Sequence, residues 1–129
     1  MYKWELNPCE SIGPIKFGMD RSAVRKIIQI KCVEFQKSKY SKNTTDDFGW
    51  FHVFYTTDNK VDAVEIFEGV EIIMDGIVIF PIKTSEIINL IPDIEEDNGS
   101  YTHVEKSIGI ETDSENAESI LVGSEGYYK

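Results

Sequence analysis

Carboxylates are the one abundant group in this 129-residue chain that could do chemistry. Asp62, Glu65, Glu68, Glu71 and Asp75 recur every three or four residues along one stretch, and Glu95, Glu96 and Asp97 stand together in another. A glycosidase-type hydrolase needs two carboxyls about 5–9 Å apart in a cleft, one with a shifted pKa, and perturbed carboxylates do gather at active sites. Spread over a solvated face, the same residues would keep the protein soluble. Beside exposed aromatic anchors such as Trp50 or Tyr101, they would instead form a docking face for a basic protein, with charge to steer and rings to hold.

Other chemistries find little support in the sequence. His52 and His103 are the only histidines, and no ligand spacing around them suits zinc. There is no Gly-x-Ser-x-Gly elbow and no glycine-rich phosphate loop. Cys9 and Cys32 are too few for a disulfide framework and form no Cys-x-x-Cys pair, so both read as reduced thiols. No metal and no cofactor is expected, and no catalytic residue can be assigned.

The charge narrows the class of partner. There are 13 basic and 23 acidic side chains, a formal net of -10, with a sequence pI near 4.6. Nucleic acid and anionic membrane surfaces, which call for basic faces, are poor matches. The excess is also unevenly placed. Residues 1–60 have a basic surplus, whereas residues 61–129 hold 16 carboxylates against Lys83, Lys106 and Lys129. A hydrophobic fraction of 41% is that of a globular domain, and the length suits a single domain over 1–129. No stretch is apolar enough to span a membrane, and the N-terminal residues lack a secretory signal, so a cytoplasmic location is expected.

These groups need elements to hold them. Ser11–Gly18 reads as a short strand, and Asp20 as the cap of a helix running to about Ile30, with Ala23, Val24, Ile27 and Ile28 on one side and Arg21, Arg25 and Lys26 on the other. The basic stretch 31–45 reads as irregular, with one short strand near Val33–Phe35. Phe48–Thr56, Val61–Phe67, Val70–Met74 and Ile77–Phe80 are strands of a meander, joined by turns at Asp58-Asn59, Glu68-Gly69 and Asp75-Gly76. Thr84 caps a second helix with Ile87, Ile88 and Ile91 on its apolar stripe, stopped by Pro92. Asp93–Ser100 is an acidic loop, Tyr101–Thr112 one or two strands, and Ala117–Gly123 the last strand.

The strand–helix–strand–strand order occurs twice, in half-repeats 11–68 and 75–124. Residues 52–67 lie over 108–123 without gaps, which sets Phe54 on Ile110, Val64 on Ile120 and Ile66 on Val122. The expected fold is α+β: a mainly antiparallel sheet with two helices on one face, built on a duplicated unit. The other face would be partly open to partners.

The segment SIGPIKFGMDRSAVRKII resembles the opening of small bacterial immunity proteins of contact-dependent growth inhibition and related polymorphic toxin systems. It is similar also to the beta-lactamase inhibitor protein fold, which repeats a helix-plus-sheet unit and binds enzymes through its sheet. The resemblance covers about the first 28 residues, and it transfers no residue roles. It implies an inhibitor that neutralises a toxin domain. Many such toxins are nucleases with basic clefts, which an acidic protein can block as a phosphate mimic. On that reading Asp62, Glu65, Glu68, Glu71, Glu95, Glu96 and Asp97 form the toxin-binding surface, with Trp50 or Tyr101 as an anchor. A small carboxylate-pair hydrolase and an adaptor for a basic protein remain the alternatives.

Overall fold

A computed structural model describes residues 2–129. The protein is α+β, and its strands pair mostly antiparallel. Thirteen strands make two sheets: β1 (Tyr2–Asn7), β2 (Ser11–Ile12), β3 (Ile15–Lys16), β4 (Val33–Phe35), β5 (Thr45–Asp47), β6 (Phe51–Tyr55), β7 (Val61–Ile66), β8 (Val70–Met74), β9 (Ile77–Phe80), β10 (Glu95–Asp97), β11 (Ser100–His103), β12 (Ile108–Thr112) and β13 (Ala117–Gly123). The larger sheet runs β10-β11-β12-β13-β7-β6-β5-β4 and the smaller β3-β2-β1-β8-β9. The β1–β8 contact is parallel.

The inner side of the larger sheet follows from alternation. Phe51, Val53 and Tyr55 of β6, Val64 and Ile66 of β7, Ile108 and Ile110 of β12, and Ile120 and Val122 of β13 are all buried. They share one core with Trp4 and Leu6 of β1, with Ile72 and Met74 of β8, and with Val24 and Ile87 from the two helices. Trp4 meets Phe51 edge-on at 5.0 Å between ring centres, which locks the sheets together.

Several elements depart from the sequence reading. β1 was not expected, and it draws β8 out of the anticipated single meander into a second sheet. Helix α1 (Arg21–Ile28) stops before Ile30 because Gln29 turns left-handed, at φ 58. Asp20 precedes the helix without a side-chain cap bond and is ion-paired to Lys60 instead. Helix α2 (Ile87–Leu90) is a single turn that continues a 3-10 turn at Thr84–Glu86. The acidic segment is an edge strand rather than a loop, since Asn98 and Gly99 adopt the positive φ values of a tight hairpin turn that sets β10 on β11.

The two long hairpins correspond closely, with one shift. Val64 pairs with Val122 and Ile66 with Ile120 across β7 and β13, so each hairpin meets the other in the same register. Asp62 and Glu118 are the bulged residues of their strands. Val53 faces Val64 as Ile110 faces Ile120, so Val53, not Phe54, takes the place of Ile110. The reason is that the second turn (113–116) is one residue shorter than the first (56–60), and one residue reverses the face of a strand. The helix starts are tied alike: Arg21 N–H donates to Asn59 O as Thr84 N–H donates to Glu115 O, and Val61 N–H to Met19 O as Ala117 N–H to Ile82 O.

Candidate functional site

The outer side of the larger sheet carries a row of residues set by register: Val33, Asp47, His52, Glu65, Leu121, Gly109, Thr102 and Glu95, one from each strand. Glu65 and Glu95 therefore lie on one face, four strand spacings apart, or about 19 Å. Asp97, Ser100, Glu111 and Ser119 form the next row. Ser100 Oγ donates to Glu111 at 2.6 Å.

The anticipated surface thus divides. Glu65, Glu95 and Asp97 share the outer face. Asp62, at the β7 bulge, accepts from Ser124 Oγ at 2.8 Å and so anchors the C-terminal segment. Glu68 is exposed in the β7–β8 connection, next to Phe67. Glu71 belongs to the smaller sheet, beside Lys3. Glu96 stands opposite Tyr101, out of the outer rows. Tyr101 cannot be the surface anchor: it is 9% exposed and packs in the core, because alternation along β11 turns it inward opposite Ile110. Trp50 is 40% exposed and remains accessible.

Trp50 belongs to a larger group of rings that sequence reading left unnoticed. Its ring lies 5.3 Å from that of Tyr2, and the Gly69 backbone runs so close beneath it that an added Cβ would sit 2.9 Å from the indole. Phe67 N–H donates to Trp50 O, which makes the two residues cross-strand neighbours. Phe67 meets the His52 ring edge-on at 4.8 Å, and His52 meets Phe35 at 5.2 Å. Asp47 lies 3.4 Å from His52 Nε2. The available signal was the alternation of Trp50 and His52 with Phe51, which assigns the first two to one face.

Most of the outer-face carboxylates are electrostatically unspent. Among the described residues, Glu105, held by Lys129 at 3.2 Å, is the only one of the 16 carboxylates in 61–129 in an ion pair. In the first 60 residues Asp20, Glu34 and Asp46 are in ion pairs with Lys60, Arg25 and Arg21, and Asp47 lies beside His52.

The most perturbed carboxyl was not singled out in the sequence. Asp46 is fully buried on the inner side of β5. It accepts from Arg25 at 2.6 and 2.9 Å, from Arg21 at 2.7 Å and from Tyr55 Oη at 2.9 Å. Burial pushes its pKa up, but the hydrogen bonds from Arg25, Arg21 and Tyr55 together outweigh that and hold it at about 2. Arg21, expected on the solvent side of α1, turns inward with 11% of its side chain exposed. Its guanidinium also lies 4.4 Å over the Tyr55 ring. With both carboxylate oxygens engaged, this cluster clamps α1 to the sheet and offers no free base.

The histidines are separated, His52 facing out and His103 in, where its Nδ1 accepts from Lys106 N–H at 3.1 Å. No cluster of metal-ligating side chains occurs among the described residues, and none of the helices there is long and apolar enough to cross a membrane. Comparison with protein-family models, curated proteins and solved structures finds no match to this chain.

Proposed function

We propose that this chain is an inhibitory binding protein of the immunity type, which occupies the basic cleft of a toxin domain, of nuclease class, without covalent chemistry. The observation that carries the reading is the outer face of the larger sheet, where Glu65, Glu95 and Asp97, in no ion pair with another described residue, share one surface with exposed rings. Such a face supplies long-range attraction to a basic surface and apolar anchors on contact.

The carboxyls with displaced pKa values favour binding over hydrolysis. Glu34, Asp46 and Asp113 are all shifted downward, whereas a general acid needs an upward shift. The test is growth rescue: co-expression with a basic toxin domain encoded beside this gene should restore growth. Continued killing in the presence of folded wild-type protein would rule the reading out.

A further inference from the structure

We propose that Trp50, Phe67 and His52, edged by Asp47, Glu65 and Glu68, form a docking site for arginine side chains of the basic partner. This rests on the reading of the partner as a basic protein and names the chemistry that the face recognises. Trp50 and Phe67 are 40% and 37% exposed, so both rings remain open to a partner. They are neighbours by backbone pairing, and His52 continues the surface through its contact with Phe67.

Charge selects the occupant. Glu65 stands beside His52 in the cross-strand register, and Glu68 follows Phe67 directly. Neither is in an ion pair with another described residue, and Asp47 accepts from Gly49 N–H at 2.7 Å while lying 3.4 Å from His52 Nε2. Exposed aromatic rings beside carboxylates attract cations. A guanidinium suits this geometry better than an ammonium, since its plane stacks on a ring while its edge donates two parallel hydrogen bonds to a carboxylate. The protein already contains one such arrangement: Arg21 lies over the Tyr55 ring while bonding Asp46.

The test uses wild-type protein and two blocked peptides, one with two arginines spaced by glycine and its lysine counterpart, followed by NMR. The Trp50 indole N–H, identified with Trp50→Phe, and the ring signals of Phe67 and His52 should shift saturably. The arginine peptide should bind about threefold to tenfold more tightly than the lysine peptide. Glu65→Gln with Glu68→Gln should weaken the arginine peptide several-fold while leaving the rings in place. Equal affinities for the two peptides, or shifts confined to Glu95–Asp97, would overturn the proposal, and the mapping on wild-type protein does not depend on any variant folding. The growth assay separates the two readings. Rescue by wild type and equally by Trp50→Ala with Phe67→Ala removes the arginine site and keeps the inhibitor, whereas arginine binding without rescue removes the inhibitor and keeps the site.

Discussion

Asp46 is a single residue on which the join between helix and sheet depends. It is the side chain through which Arg21 and Arg25 of α1 reach β5. Asp46→Asn would leave two guanidinium groups facing a neutral amide, and breaking a buried pair of this kind costs about 3–5 kcal/mol. Urea denaturation at neutral pH checks the figure. The sign of its pH dependence follows from the direction of the shift. The folded pKa, about 2, lies below the unfolded value of 3.8, so the stabilisation is present above pH 4 and is lost as pH falls through 2. The shift corresponds to about 2 kcal/mol. The disadvantage of the variant should therefore shrink in acid, and a stability gap that is constant from pH 7 to pH 2 would contradict the assignment. None of this was legible in the sequence. Asp46 stands in a basic, irregular-looking stretch, and Arg21 belongs to a helix whose polar side was expected to meet water. Helical periodicity locates the two sides of a helix but does not say that a buried carboxylate awaits one of them.

At the scale of elements, the C-terminal segment shows how a strand face becomes a seat. Tyr127 and Tyr128 lie against Gly123 and Gly109, where an added Cβ would come within 2.6 Å of the Tyr127 ring and 2.0 Å of the Tyr128 hydroxyl. Ser124 fastens the segment through Asp62 and Ser107. Gly123→Ala should be the more damaging substitution, since its Cβ strikes the inner end of a side chain near its own backbone, whereas the Tyr128 hydroxyl can swing aside. Overpacking of this kind costs about 1–3 kcal/mol. Burial, together with the charges of Tyr127, Glu111 and Glu65, pushes the Tyr128 phenol up to about 12. Because burial and like charge disfavour the phenolate, the fold keeps its full stability below the ordinary value of 10.0 and loses some of it as pH rises from there through 12. Gly109→Ala should bring the Tyr128 titration, read by tyrosinate absorbance, back toward 10, and an unchanged titration would mean that the seat is not what raises it. The strands beneath were largely readable, because β6 to β9, β12 and β13 have alternating or β-branched runs bounded by strong turns. β1 was not, because Tyr-Lys-Trp-Glu-Leu-Asn alternates but its partner β8 lies 68 residues away in register. The gapless comparison of the two hairpins misplaced β6 for a similar reason, since a one-residue difference between turns is invisible in hydropathy and decisive for face. The same limit hid half of the site: alternation puts His52 on the face of Trp50, but Phe67 and Tyr101 could be placed only once their pairing with Trp50 and Ile110 was known.

Over the whole molecule, the charge asymmetry becomes a matter of distance. Three cations of the first half are spent internally, Arg21, Arg25 and Lys60 on Asp46, Glu34 and Asp20, whereas among the described residues only Glu105 of the second-half carboxylates is in an ion pair. Like charges left unneutralised repel one another, so moderate salt should raise the melting temperature by a few degrees, and a decrease would show that ion pairs dominate instead. The same free charge steers a basic partner, but its members do not act together at every ionic strength. Screening has a range of about 10 Å at 0.1 M salt, and Glu95 lies about 19 Å from Glu65 across the sheet. At low salt the Glu95–Asp97 edge and the Glu65–Glu68 end should both accelerate association. Near 0.15 M salt only the carboxylates beside the contact should matter. Reversing Glu65 and Glu68 to Lys should therefore slow association under both conditions and flatten its salt dependence. Reversing Glu95, Glu96 and Asp97 should slow it mainly at low salt. Glu71→Lys, on the other sheet beside Lys3, should change the rate least. Stopped-flow association with the basic partner at two ionic strengths checks this order, and a dominant effect of Glu71 would move the docking face to the smaller sheet.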